Sequence, residues 1–172
     1  MDWGGIRPPI TLLNLKMYKI FCDMDGVICD FEHRFKSLHQ LNPKEFTQKE
    51  GNDKFWEVID DGGVGFWVGI PWMPEGRELW DVIKNEDTVL LSSPSRSNNS
   101  RLGKRLWVKN NIPGTKLHLR YSYQKAGFAA PNHILIDDRK DNIDHWISEG
   151  GVGILFKSTN QVIKDLSKYI KL

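Results

Sequence analysis

The sequence predicts an α/β fold: a three-layer sandwich in which helices cover both faces of a mainly parallel sheet, with a small helical cap inserted after the first strand. Three observations carry that expectation. Short apolar runs at residues 18–22, 88–91 and 133–136 alternate with stretches of helical period, as buried parallel strands joined by crossover helices do. Each run ends in polar residues, first Asp23 and Asp25, then Ser92 and Ser93, then Asp137 and Asp138. Ligands of open α/β sheets bind beyond the carboxyl ends of their strands, so these three ends should converge. Between residues 30 and 73 the strand–helix rhythm lapses into short helical pieces, the mark of an insertion.

Taken in order, residues 1–16 show no period and are expected to be an N-terminal extension, with the core formed by residues 17–29 and 74–172. After the first strand, Phe31, Phe35 and Leu38 recur at helical spacing. Asn42-Pro43 closes that helix and opens another containing Phe46. A third helix carries Phe55, Trp56 and Ile59, and Asp61-Gly62-Gly63-Val64-Gly65 is expected to break it. The core resumes with a helix bearing Leu79, Val82 and Ile83, the second strand, a polar loop and helix over 96–111, and a short strand at 116–119. The strand at 133–136 is followed by a helix over 141–149, a strand over 152–156 and a last helix from Thr159.

A chain of 172 residues is long enough to bury a core as one domain, and its 27% charged content is ordinary for a soluble protein. A formal charge of +2 gives no basic field for nucleic acid or membrane, and no apolar stretch approaches the length of a membrane span. Cys22 and Cys29, the two cysteines, flank the acidic turn and read as buried free thiols; with no secretory pattern, a cytoplasmic protein is expected. Four tryptophans, Trp56, Trp67, Trp72 and Trp80, crowd one short segment, where they can fill core or face a planar ligand.

On a strand, Asp23 and Asp25 share a side while Met24 faces away, and Gly26 permits a sharp turn. Such a pair can bind a hard cation, or divide labour as nucleophile and proton carrier; a plain strand ending in a surface turn is the alternative. Up to four carboxylates brought together demand a cation, and oxygen-only ligands favour Mg2+ over zinc. Hydroxyls such as Ser92 and Ser93, with a lysine, would hold phosphoryl oxygens. Taken singly, Ser92, Ser93 and Lys125 are ordinary loop and surface residues. His33, His39, His118, His133 and His145 lack metal-ligand spacing, and the polar stretch 96–101 reads as a solvated loop.

Asp23-Met24-Asp25-Gly26-Val27, Ser92 after its strand, a downstream lysine, and Ile136-Asp137-Asp138 with Asn142 resemble the four motifs of the haloacid dehalogenase (HAD) superfamily of phosphotransferases, across residues 18–156. Within it, the first motif with Asp30-Phe31, the segment 66–76, Ser92-Ser93-Pro94 and Leu135-Ile136-Asp137-Asp138-Arg139 are similar to the 5'(3')-deoxyribonucleotidases. The resemblance implies a Rossmann-like core and an Mg2+-dependent hydrolase of deoxynucleoside monophosphates that works through an aspartyl-phosphate. It implies Asp23 as nucleophile and Asp25 as the acid that protonates the leaving oxygen and then deprotonates water. Asp23, Asp137 and the backbone carbonyl of Asp25 would hold Mg2+, with Asp138 in support. Ser92, with Ser93 beside it, and Lys125 would bind the phosphoryl group, and Phe31 would lie against the base. Ser122-Tyr123-Gln124 lacks the arginine expected before that lysine, which keeps Lys104 as the alternative. Other readings are the same chemistry on a sugar phosphate or a polynucleotide end, and a binding protein without turnover.

Overall fold

The structure, a computed structural model, describes residues 17–172; the expected N-terminal extension lies outside them. Its centre is β1 (Lys19–Cys22), flanked by β2 (Thr88–Ser92) and β4 (His133–Asp137), with β3 (Leu117–Leu119) and β5 (Val152–Leu155) outermost. The order is β3-β2-β1-β4-β5 and every pairing is parallel, as apolar runs separated by helices require. The chain builds outward from β1 through β2 to β3, then crosses back to β4 on the far side. That reversal opens a crevice at the carboxyl end of β1.

Period-2 alternation divides the core in two. Ile20, Cys22, Leu90, Ile134, Ile136 and Ile154 face one way, against α5 (Gly76–Ile83), α6 (Asn98–Asn111) and α9 (Thr159–Leu166). Phe21, Val89, Leu91 and Leu135 face the other, against Ile143 and Trp146 of α8 (Lys140–Ser148) and against Phe128. The α/β sandwich thus follows from strands that are apolar on both faces.

Four helices lie between β1 and α5: α1 (Phe31–His39), α2 (Pro43–Glu50), α3 (Asn52–Asp61) and α4 (Gly63–Val68). Asp30 caps α1 by accepting from the His33 N–H at 2.9 Å. Asn42 and Glu45 form a reciprocal capping box that starts α2, with Pro43 in its first turn. The glycine run at 61–65 differs from expectation: it ends α3, and a new helix begins at once. Gly63 takes a left-handed φ of 56°, which turns the chain, and packing then supplies what propensity lacks. The side chain of Arg34 donates to the carbonyls of Phe66 and Gly65 at 3.2 and 3.1 Å. Across the interface, α6 presents Gly103, where a Cβ would lie 2.3 Å from that of Trp67. The Nε1 atoms of Trp107 and Trp72 then tie the returning strand to α6, donating to the Ile70 carbonyl at 2.7 Å and Asn111 Oδ1 at 3.1 Å.

Candidate active site

The acidic turn is built on one carbonyl. Met24 O accepts from the N–H groups of Val27, Ile28 and Cys29, at 3.1, 2.9 and 2.8 Å, and folds the chain tightly back after Asp25. Gly26 sits at φ 78°, and a Cβ there would meet Asp138 Oδ2 at 2.2 Å. Glycine is therefore needed twice, for the turn and to let the second acidic strand end approach the first. The register finishes the alignment: Cys22 lies beside Ile136 and the Asp23 N–H donates to the Ile136 carbonyl, so Asp23 and Asp137 emerge side by side.

Two lysines, both about 1% exposed, divide these acids. Lys125, at the end of the single helical turn α7 (Ser122–Lys125), lies 3.1 Å from Asp23 Oδ2 and 2.7 Å from Asp137 Oδ2. Burial alone would lower its pKa, but Asp23 and Asp137 outweigh that and push it up. Lys104, from α6, lies 2.5 Å from Asp25 Oδ2 and donates to Ser92 Oγ at 3.0 Å. Both lysines weighed from the sequence thus reach the strand ends, Lys125 at Asp23 and Asp137 and Lys104 at Asp25.

Asp23 Oδ1 accepts from the Met24 N–H at 2.8 Å, which fixes its rotamer. Asp137 is fully buried and accepts from Asn142 at 3.0 Å to each oxygen and from the Arg139 N–H at 2.9 Å. Burial raises its pKa, followed by the charge of Asp23. Asp138 stands at the mouth, where its crowded surroundings and the charges of Asp23 and Asp137 push its pKa up to about 7. Asp23, Asp137 and Asp138 each offer an oxygen within 4.8 Å of the others. This oxygen-only, anionic set fits a hard divalent cation such as Mg2+. The Asp25 carboxylate is engaged by Lys104 through Oδ2 and is not one of this group, whereas Asp138 joins the ligand-capable group directly.

A cleft of about 700 Å3 opens over these residues, lined among others by Asp23, Asp25, Phe31, Ser93, Lys125 and Asp138. Phe31 packs edge-on to Phe66 at 5.5 Å and tilted to Trp67 at 5.9 Å. Ser93 faces the cleft and shares a hydrogen bond with Ser122 at 3.2 Å. Ser92 is fully buried behind it, its hydroxyl accepting from Lys104. Of the four tryptophans that could fill core or face a planar ligand, Trp56 and Trp67 line the cleft; Tyr121 and Ser122 were not singled out from the sequence, and no pattern announces the turn α7 that brings them there. Cys22 and Cys29 are free and buried, and burial raises both thiol pKa values, so neither offers a thiolate.

No sequence-family profile matches the chain, and no curated protein sequence does. Solved structures do. A haloacid dehalogenase-like hydrolase from Xanthomonas campestris superposes with a TM-score of 0.58 at 10% identity, covering 90% of this chain and 92% of its own. A HAD-superfamily subfamily IA hydrolase from Geobacter sulfurreducens gives 0.52 at 12% identity, covering 88% and 97%. The fold is that of the HAD-like hydrolases. A third neighbour, from Lactobacillus plantarum, carries a name that suggests a phosphoglycolate phosphatase; it gives 0.51 at 12% identity, covering 86% and 99%. On this HAD-like frame the crevice at β1 is the place where Asp23, Asp25, Lys104, Lys125, Asp137 and Asp138 meet.

Proposed function

We propose that the protein is an Mg2+-dependent phosphomonoester hydrolase that acts on small phosphate esters, with deoxynucleoside monophosphates as the leading substrates. The observation that carries the reading is the Asp23 carboxylate: fixed by the Met24 N–H and Lys125, it lines the cleft with Asp25 two residues further on. A nucleophile in this position needs a held rotamer, neighbouring positive charge and open space in front, and Asp23 has all three.

In the first step an Asp23 oxygen attacks phosphorus, the bond to the leaving oxygen breaks with its electron pair, and Asp25 gives that oxygen a proton. In the second, water attacks the aspartyl-phosphate, Asp25 takes the proton, and the bond from Asp23 to phosphorus breaks to release phosphate. Lys125 and the hydroxyls of Ser93 and Ser122 border the space where the phosphoryl oxygens would sit. Asp23, Asp137 and Asp138 would hold Mg2+, which supplies positive charge to the phosphoryl group. The helices of residues 30–73 act as a cap, and Phe31 offers a face to a planar base. A phosphatase named among the structural neighbours agrees with this class of chemistry.

One observation favours leaving groups larger than a nucleoside. The cleft continues across Trp56, Pro94, Ser95 and Tyr121 into a second cavity of about 730 Å3. There Asp53, Glu57 and Asp60 of α3 face Arg96, a wall that opposes further phosphates. The test is a phosphate-release screen, with and without Mg2+, over nucleoside monophosphates, sugar phosphates, nucleoside bisphosphates and phosphorylated oligonucleotides. Release from monoesters that vanishes in Asp23→Asn is expected. No release, or equal activity in Asp23→Asn, removes the proposal.

A further inference from the structure

Lys104 is a buried cation held among three side chains. Its Nζ reaches Asp25 Oδ2 on one side, Ser92 Oγ on another, and lies 5.2 Å from the centre of the Trp67 ring. It does not line the cleft, whereas Lys125 does. That placement is deliberate in the fold. Ser100, Gly103, Lys104, Trp107 and Val108 form the buried face of α6, and the missing side chain at Gly103 lets α4 come close enough to lay Trp67 over the ammonium. A charge is thus buried on an otherwise inward-facing stripe, which is costly unless something requires it.

The acid that receives it has two unlike oxygens. Asp25 Oδ2 is held by Lys104, while Oδ1 is buried and has no hydrogen-bond partner among the described residues. Turned by the Met24 carbonyl and Gly26, Asp25 has no other side chain among the described residues bonded to its carboxylate. We propose that Lys104 is the positioning residue of Asp25, clamping its carboxylate through Oδ2 so that the group is held at the cleft wall facing the leaving-group oxygen. This rests on the reading of Asp25 as the proton carrier. The proton passes from the Asp25 carboxyl to the leaving oxygen as the bond to phosphorus breaks, and Lys104 keeps its own proton throughout. The ammonium touches no substrate atom.

The dependence on leaving group separates this role from phosphate binding and from fold support. An alkoxide leaving group needs the proton in the transition state, whereas 4-nitrophenolate departs without one. The value of kcat/KM reports only the steps through departure of the leaving group, so the later duty of Asp25 towards water does not enter it. Lys104→Met is compared with wild type on a deoxynucleoside monophosphate and on 4-nitrophenyl phosphate, with Mg2+ present. The expected result is a loss of about 100-fold or more in kcat/KM on the nucleotide, the scale of general acid catalysis, and a much smaller loss on the aryl ester. Equal losses on both esters, or none, overturn the proposal. Asp25→Asn run alongside isolates the parent reading: an even loss there removes Asp25 as the acid, while an uneven loss there with an even loss in Lys104→Met removes only Lys104. Thermal melting checks the fold. If Lys104→Met does not fold, Lys104→Arg keeps the charge while displacing the contact and is judged by the same uneven or even loss.

Discussion

Lys125 holds three charges in balance at the residue scale, one ammonium against the carboxylates of Asp23 and Asp137. Because Asp137 has no solvent to fall back on, Lys125→Met should cost about 3–5 kcal/mol, the penalty for orphaning a buried ionic partner. Urea unfolding in EDTA measures it, and added Mg2+ should recover part of the loss by taking over the same carboxylates. Gly26 is under a different constraint. Gly26→Ala forces a side chain into the left-handed region, at about 1 kcal/mol, and drives the Asp138 carboxylate out of its position. Weaker Mg2+ affinity together with a lower melting temperature is expected, by titration calorimetry and thermal melts. A wild-type Mg2+ affinity in Gly26→Ala would show that Asp138 is not a ligand.

Among elements, the contact of α4 with α6 matters most, since it sets Trp67 over Lys104 and closes one wall of the cleft. Gly103→Val should cost about 1–3 kcal/mol through overpacking against the Trp67 Cβ, and should lower turnover as well because the helices must part. Circular dichroism melts and a kcat comparison read the two effects. The three central strands were legible in the sequence because apolar runs ending in polar residues leave few choices. The helix α4 was not, since Gly62, Gly63 and Gly65 argue locally against helix and only the partner surface on α6 decides for it. Lys104 left a trace that could have been read: it sits on the same face as Gly103, Trp107 and Val108, where a lysine is out of place. What the sequence could not give is the distance to Asp25, 79 residues away along the chain. Phe31 and Ser93 were legible as cleft candidates from motif position, while Trp56 and Tyr121 reach the cleft only through the packing of α3 and the turn at α7.

For the whole molecule, a formal charge of +2 hides a site where four carboxylates, of Asp23, Asp25, Asp137 and Asp138, gather around Lys104 and Lys125, with Arg139 on the cleft wall. The raised pKa values of Asp25, Asp137 and Asp138 give this a sign. Without metal, the folded protein keeps protons that the unfolded chain gives up at about pH 4, the ordinary carboxylate range. The contribution of these three acids to stability therefore falls as pH rises from about 4, until Asp138 has ionised at about 7. Thermal melts in EDTA should show a lower melting temperature at pH 8 than at pH 5.5, and Mg2+ should raise it more at pH 8. The opposite slope would mean that these acids are not strained by one another.

The helices between β1 and α5 are fastened to α6 by the Gly103 contact and by the two tryptophan hydrogen bonds from Trp107 and Trp72. Swinging them aside would break all three together, so the rim beside α6 is a fixed frame rather than a door. Traffic then belongs to the opposite rim, past Trp56 and Tyr121, where the wall is open side chains instead of riveted backbone. For the proposed hydrolase, release of product would then require no helix to move.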